Sequence, residues 1–337
     1  HNFIIYKTML IYILVFLFVL FALGLVIHLS LDKKVIYKDL KGKHVVITGG
    51  SSGIGKAAAV EAARLGANVT IIGRDVGKLT SAVAEITANR LDKSSQIIQY
   101  VALDVTSDYK TIEQSFASIE KKIGPIFMLV NCAGMCICGQ FEKMEVDVIK
   151  QMIYLNYFGT AYPTRYVLPG MKERNEGLIV FVSSEAALVG IYGYSAYSAG
   201  KWAVRGLAES VIMELVGTGV RLTVAFPPDT DTPGLKNEDL TKPEETKLIS
   251  GSAGLHSADD VGKQMIHDAL VGKTYSVYSL SGTLLSTLFG GSIESGWQVV
   301  LQVFSMGLLR IVMVGILLSF YKIVRDGLKK KDNVKNK

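Results

Sequence analysis

Along the middle of the chain, stretches with the apolar pattern of strands alternate with stretches that have the apolar pattern of helices. Short apolar or β-branched runs, which are typical of buried strands, are separated by longer stretches with the three-to-four-residue spacing of helices. The predicted strands are 44–48, 68–72, 97–102, 126–131, 178–182 and 221–226, and the predicted helices are 56–65, 76–90, 109–123, 146–166, a segment around Tyr197, and 259–271. Strands that alternate with helices predict an α/β fold with a doubly wound parallel sheet, whose ligands bind at the carboxyl ends of the strands.

The most apolar stretch lies near the beginning of the chain. Residues 10–29 are apolar almost throughout and come to about the 20 residues that a helix needs to cross a bilayer. Only Lys7 precedes this stretch, whereas five lysines follow between positions 33 and 43, so the positive-inside rule places the rest of the chain in the cytosol. A cleaved signal peptide is the alternative, but no small-residue cleavage site ends the run. We therefore expect an N-terminal transmembrane helix.

Two further apolar segments lie in the C-terminal part. Residues 275–289 mix serine, threonine and leucine, and residues 297–321 are interrupted by Gln302 and Arg310. A hairpin of two spans, one span with a charged residue in mid-membrane, and an interfacial pair of helices all fit this pattern. Because the basic tail 329–337 and the domain before it would both be cytosolic, an even number of crossings is required. This favours the hairpin or the interfacial arrangement.

Charge and cysteine content narrow the choice of partners. The 337 residues carry a net charge of +6, and much of the basic excess flanks the apolar segments. It therefore indicates a membrane surface, and no nucleic-acid partner is expected. The three cysteines, at positions 132, 136 and 138, are odd in number and have no histidine beside them. Reduced cytosolic thiols are favoured over a disulfide framework or a zinc site, and no metal is expected.

A glycine-rich turn follows the first predicted strand and opens the first predicted helix. It reads T-G-G-S-S-G-I-G from Thr48 to Gly55. Glycines let the backbone approach a pyrophosphate, whose charge then faces the unpaired N–H groups at the start of the helix. The cofactor-binding candidates in this turn are Gly49, Ser51, Ser52, Gly53, Ile54 and Gly55.

Two other motifs nearly match the same turn. Residues 50–56 fit the phosphate loop of NTPases, but Ala57 stands where a hydroxyl is required for a Mg²⁺-nucleotide site. Residues 49–53 fit the G-x-S-x-G turn of hydrolases, but the histidines further along the chain, His256 and His267, lie within or next to the last predicted helix. Both of these functions are disfavoured.

The residues after the second predicted strand bear on the type of dinucleotide. Gly73 and Arg74 stand where an NAD enzyme places an acid for the ribose hydroxyls. A small residue leaves room for a 2′-phosphate, and a guanidinium can bind it through two hydrogen bonds. NADP(H) is therefore predicted. Lys78 is a second phosphate candidate, with a solvated surface position as the alternative, and Asp75 is expected to cap the next helix.

A tyrosine, a lysine and a serine supply candidate catalytic groups. Tyr197 and Lys201 are four residues apart and share one face of the predicted helix. An ammonium beside the phenol is expected to lower the pKa of Tyr197 toward the range where a proton passes to a carbonyl oxygen. Ser184, after the strand 178–182, can donate a second hydrogen bond to that oxygen. Two donors on one oxygen indicate carbonyl reduction, although the same tyrosine–lysine spacing also occurs on ordinary helix faces.

Taken together, these motifs resemble a known family. The glycine turn, Asn131-Cys132-Ala133-Gly134, Asn156, Ser184 and Tyr197-x-x-x-Lys201 are similar in type and order to those of the short-chain dehydrogenase/reductases, from Lys43 to Val271. The resemblance implies a Rossmann-type fold and an enzyme that uses NADPH, with Tyr197 as general acid and with Asn156, Ser184 and Lys201 as the other catalytic residues.

The resemblance also implies roles in cofactor binding. Lys201 would bind the nicotinamide ribose, Tyr197 would lie beside the cofactor, and Asn156 would hold a proton-relay water next to Lys201. The other residues implied to line the cofactor are Asp104 and Val105 beside the adenine, and Asn131, Ala133 and Gly134. The chain would then comprise a membrane anchor (1–31), a dinucleotide-binding catalytic domain (42–271), a hydrophobic membrane-associated segment (272–324) and a basic tail (325–337).

One run departs from the common family pattern. Residues 226–234 read F-P-P-D-T-D-T-P-G, with Pro228 where the family commonly has glycine. With the flanking apolar segments, this run resembles membrane-bound members of the family that reduce a long-chain keto lipid. The resemblance implies an endoplasmic reticulum membrane location with the catalytic domain facing the cytosol. It is also compatible with a homo-oligomer. The polar stretch 227–257 is either a loop that covers the substrate or plain surface.

Two alternative functions stay open at this point. A membrane-anchored hydroxysteroid or retinol dehydrogenase would share every catalytic residue. A non-catalytic membrane protein that binds a dinucleotide is the other alternative, and the intact set of Asn156, Ser184, Tyr197 and Lys201 argues against it.

Overall fold

A seven-stranded parallel sheet forms the centre of the molecule. A computed structural model describes residues 2–30, 36–291 and 296–335. The strands are β1 (His44–Thr48), β2 (Asn68–Gly73), β3 (Ile98–Ala102), β4 (Ile126–Asn131), β5 (Gly177–Val182), β6 (Val220–Phe226), β7 (Thr230–Asp231), β8 (His256–Ser257) and β9 (Tyr275–Val277). The large sheet has the order β3-β2-β1-β4-β5-β6-β9, and every pair in it is parallel. The predicted doubly wound parallel sheet is confirmed.

The order of strands places a crevice between the ends of β1 and β4. Connections run outward in opposite directions from these two neighbours, which is the switch point where open α/β sheets bind ligands. The two strands are also tied together at that edge, because the Thr48 hydroxyl accepts hydrogen bonds from the backbone N–H groups of Cys132 and Ala133, each at 3.2 Å.

Helices cover both faces of the sheet. They are α1 (Asn2–Ser30), α2 (Gly53–Arg64), α3 (Val76–Ala88), α4 (Tyr109–Ile123), α5 (Val146–Ile153), α6 (Gly159–Arg174), α7 (Ser195–Glu214), α8 (Pro233–Asp239), α9 (Glu244–Ser250), α10 (Ala258–Leu270), α11 (Leu280–Phe289) and α12 (Gly296–Lys335). Alternate residues of the strands enter two separate apolar cores, one under α2, α3 and α10 and the other under α4, α6 and α7. Strands buried on both faces explain their nearly continuous apolar runs.

One predicted helix is interrupted. Residues 146–166 were expected to form a single helix, but a π-helical turn (Tyr154–Phe158) separates α5 from α6. Such wide turns have no strong local signature and commonly mark functional positions. Here the turn carries Asn156.

The segment after residue 271 differs most from the sequence-based expectation. Residues 275–289 do not form part of a membrane hairpin: they form β9 at the sheet edge and then α11, whose Leu285 is buried in the core under α7. The remaining apolar sequence forms one long helix, α12. Among the described residues, two helices are long and apolar enough, by length and composition, to span a membrane, at Tyr6–Leu29 and Gly296–Lys330.

The helices α1 and α12 pack against each other in antiparallel orientation. Phe21 lies against Trp297 and Phe16 against Phe304, with ring centroids 5.4 and 5.8 Å apart. Further along α12, Met313 is only 4% exposed and enters the core of the globular domain. The first part of α12 is therefore paired with α1, and its later part is packed on the globular domain.

Candidate active site

The glycine turn forms a cradle at the start of α2. Gly49 and Gly53 have positive φ angles of 68° and 55°, which side chains other than glycine rarely adopt. A Cβ on Gly49 would lie 2.8 Å from the backbone nitrogen of Ala133, and one on Gly53 would lie 2.9 Å from a Thr232 side-chain carbon. Ser52, at the N-cap of α2, makes no side-chain capping bond within the described chain. The turn therefore leaves backbone N–H groups free for an anion such as a pyrophosphate.

The predicted residues for the rest of a dinucleotide line the same cavity. Ser51, Ile54, Gly55, Arg74, Lys78, Asp104, Val105, Ala133 and Gly134 all border it. Arg74 is 66% exposed and its guanidinium lies 3.8 Å from the Asp104 carboxylate. Asp75 caps α3 by accepting a 3.0 Å hydrogen bond from the Lys78 backbone, as expected.

Asn131 lies at the end of β4 beneath this cavity. Its side-chain nitrogen donates a 3.0 Å hydrogen bond to Thr164, while its buried Oδ1 has no partner among the described residues. Asn131 therefore braces β4 against α6, behind the residues that border the cavity.

The structure brings Tyr197 and Ser184 together. Ser184 stands just beyond β5, Tyr197 lies in the first turn of α7, and their side chains hydrogen-bond each other. Burial raises the pKa of the Tyr197 phenol well above its usual range, the nearby Glu238 and Asp229 carboxylates raise it further, and the bond to Ser184 opposes the shift. The expectation that Lys201 lowers this pKa is wrong. The raised pKa keeps the phenol protonated, which suits a proton donor.

The direction of the Lys201 side chain explains that difference. Its ammonium donates a 2.9 Å hydrogen bond to the carbonyl of Val182 and lies 5.8 Å from the centre of the Tyr197 ring. Burial lowers the pKa of Lys201 to about 8. The lysine is thus anchored to the end of β5 below the tyrosine.

Asn156 is held next to Lys201. Its side-chain nitrogen donates to the Met135 carbonyl at 3.0 Å, and its Oδ1 accepts from the Met135 backbone at 3.3 Å. A Cβ on Gly134 would lie 2.8 Å from the Asn156 oxygen and 3.2 Å from the Lys201 nitrogen, so both groups converge on this glycine. Ser184, Tyr197 and Lys201 therefore border one end of the crevice, and Asn156 is buried behind them next to Lys201.

The opposite wall contains two acidic residues, Glu238 and Asp229, that the sequence analysis did not single out, and a buried lysine lies behind them. Lys242, with only 2% of its side chain exposed, lies 2.8 Å from a Glu238 oxygen and 3.3 Å from an Asp229 oxygen. The Tyr194 hydroxyl donates to the same oxygen of Glu238. Asp229, Glu238 and Lys242 belong to the segment 227–257, whose ends are joined where β7 pairs with β8. Because many of its residues line the cavity, this segment covers the site.

Two of the three cysteines also lie beside Glu238 on this wall. The sulfur atoms of Cys136 and Cys138 are 3.7 Å apart, and a Glu238 carboxylate oxygen lies within 4.8 Å of both. Sequence spacing had linked neither cysteine to Glu238. The Lys242 ammonium also pairs with this carboxylate, 2.8 Å from one of its oxygens.

A third, apolar wall comes from the C-terminal helices. Leu284 and Leu285 of α11 and Met313, Ile316 and Phe320 of α12 border the cavity, which has a volume of about 1010 Å³. One continuous space thus joins the glycine cradle, the Tyr197–Ser184 pair and an apolar lining. Two hydroxyl groups converging beside such a lining can bind and protonate the oxygen of an apolar ketone.

The parallel sheet, the glycine cradle at its switch point and the Tyr197–Lys201 pair define a dinucleotide-dependent oxidoreductase. A family profile described as short chain dehydrogenase matches residues 43–243, and the chain belongs to that family. It is 45% identical to 3-dehydrosphinganine reductase from Danio rerio over 85% of this chain and 86% of the relative. It is 44% identical to 3-ketodihydrosphingosine reductase from Bos taurus, with the same coverage.

A solved structure shows the same fold. The short-chain dehydrogenase/reductase from Burkholderia phymatum in complex with NAD superimposes with a TM-score of 0.63 at 24% identity, covering 72% of this chain and 90% of that protein.

Proposed function

We propose that the protein catalyses the NADPH-dependent reduction of 3-ketodihydrosphingosine to dihydrosphingosine in sphingolipid biosynthesis. The observation that carries the proposal is the single cavity in which Tyr197 and Ser184 lie between a glycine cradle and the apolar wall of α11 and α12. A ketone on a long alkyl chain requires both of these surroundings. The names of the vertebrate relatives, which align over most of both chains, support the same substrate.

The chain's own residues supply the acid and the binding groups for this reaction. When bound, NADPH provides the hydride that is transferred to the carbonyl carbon. Ser184 donates a hydrogen bond to the carbonyl oxygen, and Tyr197 transfers its phenolic proton to that oxygen as the alcohol forms. Lys201 binds the nicotinamide ribose, and Asn156, fixed by Met135, holds the water that returns a proton through Lys201.

The preference for NADPH rests on Arg74 and Lys78. Both line the cavity beyond β2, where Gly73 leaves space for a 2′-phosphate. Asp104 lies 3.8 Å from the Arg74 guanidinium and so helps to hold it at this edge. A bound 2′-phosphate would accept a charge-assisted hydrogen bond from this exposed guanidinium.

We expect Arg74→Ala to weaken NADPH binding by about 10- to 100-fold and NADH binding by less than about threefold, because only NADPH carries the 2′-phosphate. Competition titrations of both dinucleotides measure the ratio of NADPH affinity to NADH affinity. Arg64→Ala is the matched control, since Arg64 lies at the far end of α2 and bonds Asn89. An unchanged NADPH-to-NADH ratio in Arg74→Ala would assign phosphate recognition to another residue.

The membrane location belongs to the same proposal. We place the protein at the endoplasmic reticulum membrane with its catalytic domain in the cytosol. The outward-facing apolar residues of α1 and of the first part of α12 would contact lipid. A long-chain ketone partitions into the bilayer because each buried methylene contributes about 0.8 kcal/mol. An enzyme held at the surface meets this substrate where it accumulates.

Deleting residues 10–29 is expected to leave the protein partly membrane-associated and active. The reason is that α12 exposes its own apolar residues, including Leu301, Phe304 and Leu308. Flotation with liposomes, followed by activity assays of both fractions, measures the distribution. Complete recovery of the truncated protein in the soluble fraction would show that α1 alone binds the membrane.

The substrate is tested by NADPH oxidation with the purified protein in mixed micelles. The panel comprises 3-ketodihydrosphingosine, a ketosteroid and retinal, which represent the alternative dehydrogenases. We expect the sphingoid ketone to be preferred by at least about 100-fold in kcat/KM. Preference for the steroid or retinal would identify a different substrate, and NADPH binding without oxidation of any ketone would favour the non-catalytic alternative.

A further inference from the structure

On the polar side of the cavity, several carboxylates share one buried ammonium group. Lys242 is a single ammonium, yet it faces three carboxylates: Glu238 at 2.8 Å, Asp229 at 3.3 Å and Asp239 at 3.4 Å. Asp239 is about half exposed, but the Glu238 and Asp229 side chains are only 12% and 21% exposed. Partly buried carboxylates without full compensation are costly, so a second cation is expected to bind here.

Asp229 is the member of this group best placed for an added cation. Glu238 already accepts a hydrogen bond from Tyr194 and forms an ion pair with Lys242. Its charge also helps to raise the pKa of the Cys136 thiol. Asp229 contacts Lys242 through Oδ2, while its side chain borders the cavity and keeps part of its surface open. The backbone carbonyl of Asp229 accepts a 3.0 Å hydrogen bond from His256, which fixes the turn.

Another buried acid near the site, Glu185, is committed elsewhere. Its carboxylate accepts hydrogen bonds from Ser279 and Ser281 at the start of α11. This carboxylate therefore anchors α11, and Asp229 is the more exposed of the two acids, Asp229 and Glu238, that pair with Lys242 and border the cavity.

Asp229 borders the same cavity as Tyr197 and Ser184. After burial, the charges that raise the pKa of the Tyr197 phenol include those of Glu238 and Asp229. A cation bound at Asp229 would offset that effect and make it easier for Tyr197 to give up its proton. The carboxylate would thus assist the transfer only when a cationic substrate is present.

We propose that Asp229 binds the ammonium group of an α-amino ketone and so selects this class of ketone over steroids and retinal. The inference rests on the proposed function, because 3-ketodihydrosphingosine carries its amine on the carbon next to the ketone. When Tyr197 and Ser184 hold the carbonyl oxygen, that amine must lie beside them. The run P-P-D-T, in which Pro228 replaces the common glycine, places Asp229 at this position, and Thr230 fixes the turn by donating a 2.9 Å hydrogen bond to the Pro228 carbonyl.

The test compares two substrates of equal chain length in wild type and Asp229→Asn. One is 3-ketodihydrosphingosine, and the other is the matched keto alcohol without the amino group. In Asp229→Asn we expect kcat/KM for the amino ketone to fall about 10- to 100-fold, and kcat/KM for the deaminated ketone to change by less than about threefold. Asp231→Asn is the control, because Asp231 lies in the same run but is exposed and pairs with Lys236. It should retain both activities.

The outcomes separate this inference from the proposed function. Equal losses on both ketones, or no loss on either, would overturn the role of Asp229. Loss of all activity in Asp229→Asn also overturns it, since the deaminated ketone should still be reduced. If wild type reduces neither keto lipid although it binds NADPH, the proposed function itself fails. If wild type shows no preference for the amine, the function stands and the subsite is wrong.

Discussion

Tyr197→Phe is expected to lower kcat by about 10²- to 10⁴-fold while NADPH affinity stays within about twofold. The phenol is buried, protonated and hydrogen-bonded to Ser184, so its loss removes the proton donor without removing a group that anchors the dinucleotide. Lys201→Ala should impair both turnover and NADPH binding, because Lys201 is assigned to the ribose as well as to the proton path. Stopped-flow turnover and fluorescence titration of NADPH measure the two effects separately.

Tyr192→Phe is the matched control for this experiment. The Tyr192 hydroxyl bonds Gln140 at 2.7 Å, away from the Tyr197–Ser184 pair, so turnover should change by less than about threefold. Substantial turnover in Tyr197→Phe would show that Tyr197 is not the proton donor. An equal loss of NADPH binding in Tyr197→Phe and Lys201→Ala would show that the two roles are wrongly assigned.

Ile316→Trp is expected to reduce activity on the long-chain ketone by about 10- to 100-fold, because a larger side chain in the α12 wall fills space that the alkyl chain needs. A short-chain analogue with the same amino ketone head should lose less than about threefold. Steady-state assays across a series of chain lengths measure the change in preference.

Val312→Trp is the control for the wall variant. Val312 lies four residues earlier on α12 but is 44% exposed, so its substitution should leave the chain-length preference unchanged. If Ile316→Trp lowers activity equally on short and long chains, α12 does not form the channel for the alkyl chain. The apolar helices would then act only as tethers.

The central fold could be predicted because its signals are local. Strands buried on both faces have continuous apolar runs, and the bounds of α4 and β4 agree with those expected from sequence. The segment 275–289 could not be assigned in this way. Its apolar composition fits a membrane segment as well as a short edge strand followed by a packed helix, and only the pairing of β9 with β6 distinguishes them.

The sequence identified the site residues that belong to the family motifs. It did not identify the charged residues on the other side of the cavity. Glu238 and Lys242 have the spacing of an ordinary ion pair on a helix surface, and Asp229 lies in a polar run typical of a loop. Their meeting depends on how the segment 227–257 folds back over the cavity. The inward stripe of α12, from Met313 through Ile316 to Phe320, was present in the sequence as a three-to-four-residue spacing but was hidden by an almost uniformly apolar helix.

Transfer of deuterium from NADPH labelled at nicotinamide C4 tests the central proposal most directly. The purified full-length protein is mixed with 3-ketodihydrosphingosine in micelles, in separate reactions with the two stereochemical forms of the labelled cofactor, and the lipid product is analysed by mass spectrometry. We expect dihydrosphingosine with one deuterium at C3 from one form of the cofactor only, and a strongly reduced yield with Tyr197→Phe. Unlabelled product, or no reduced lipid from a protein that binds NADPH, would contradict the proposed reaction.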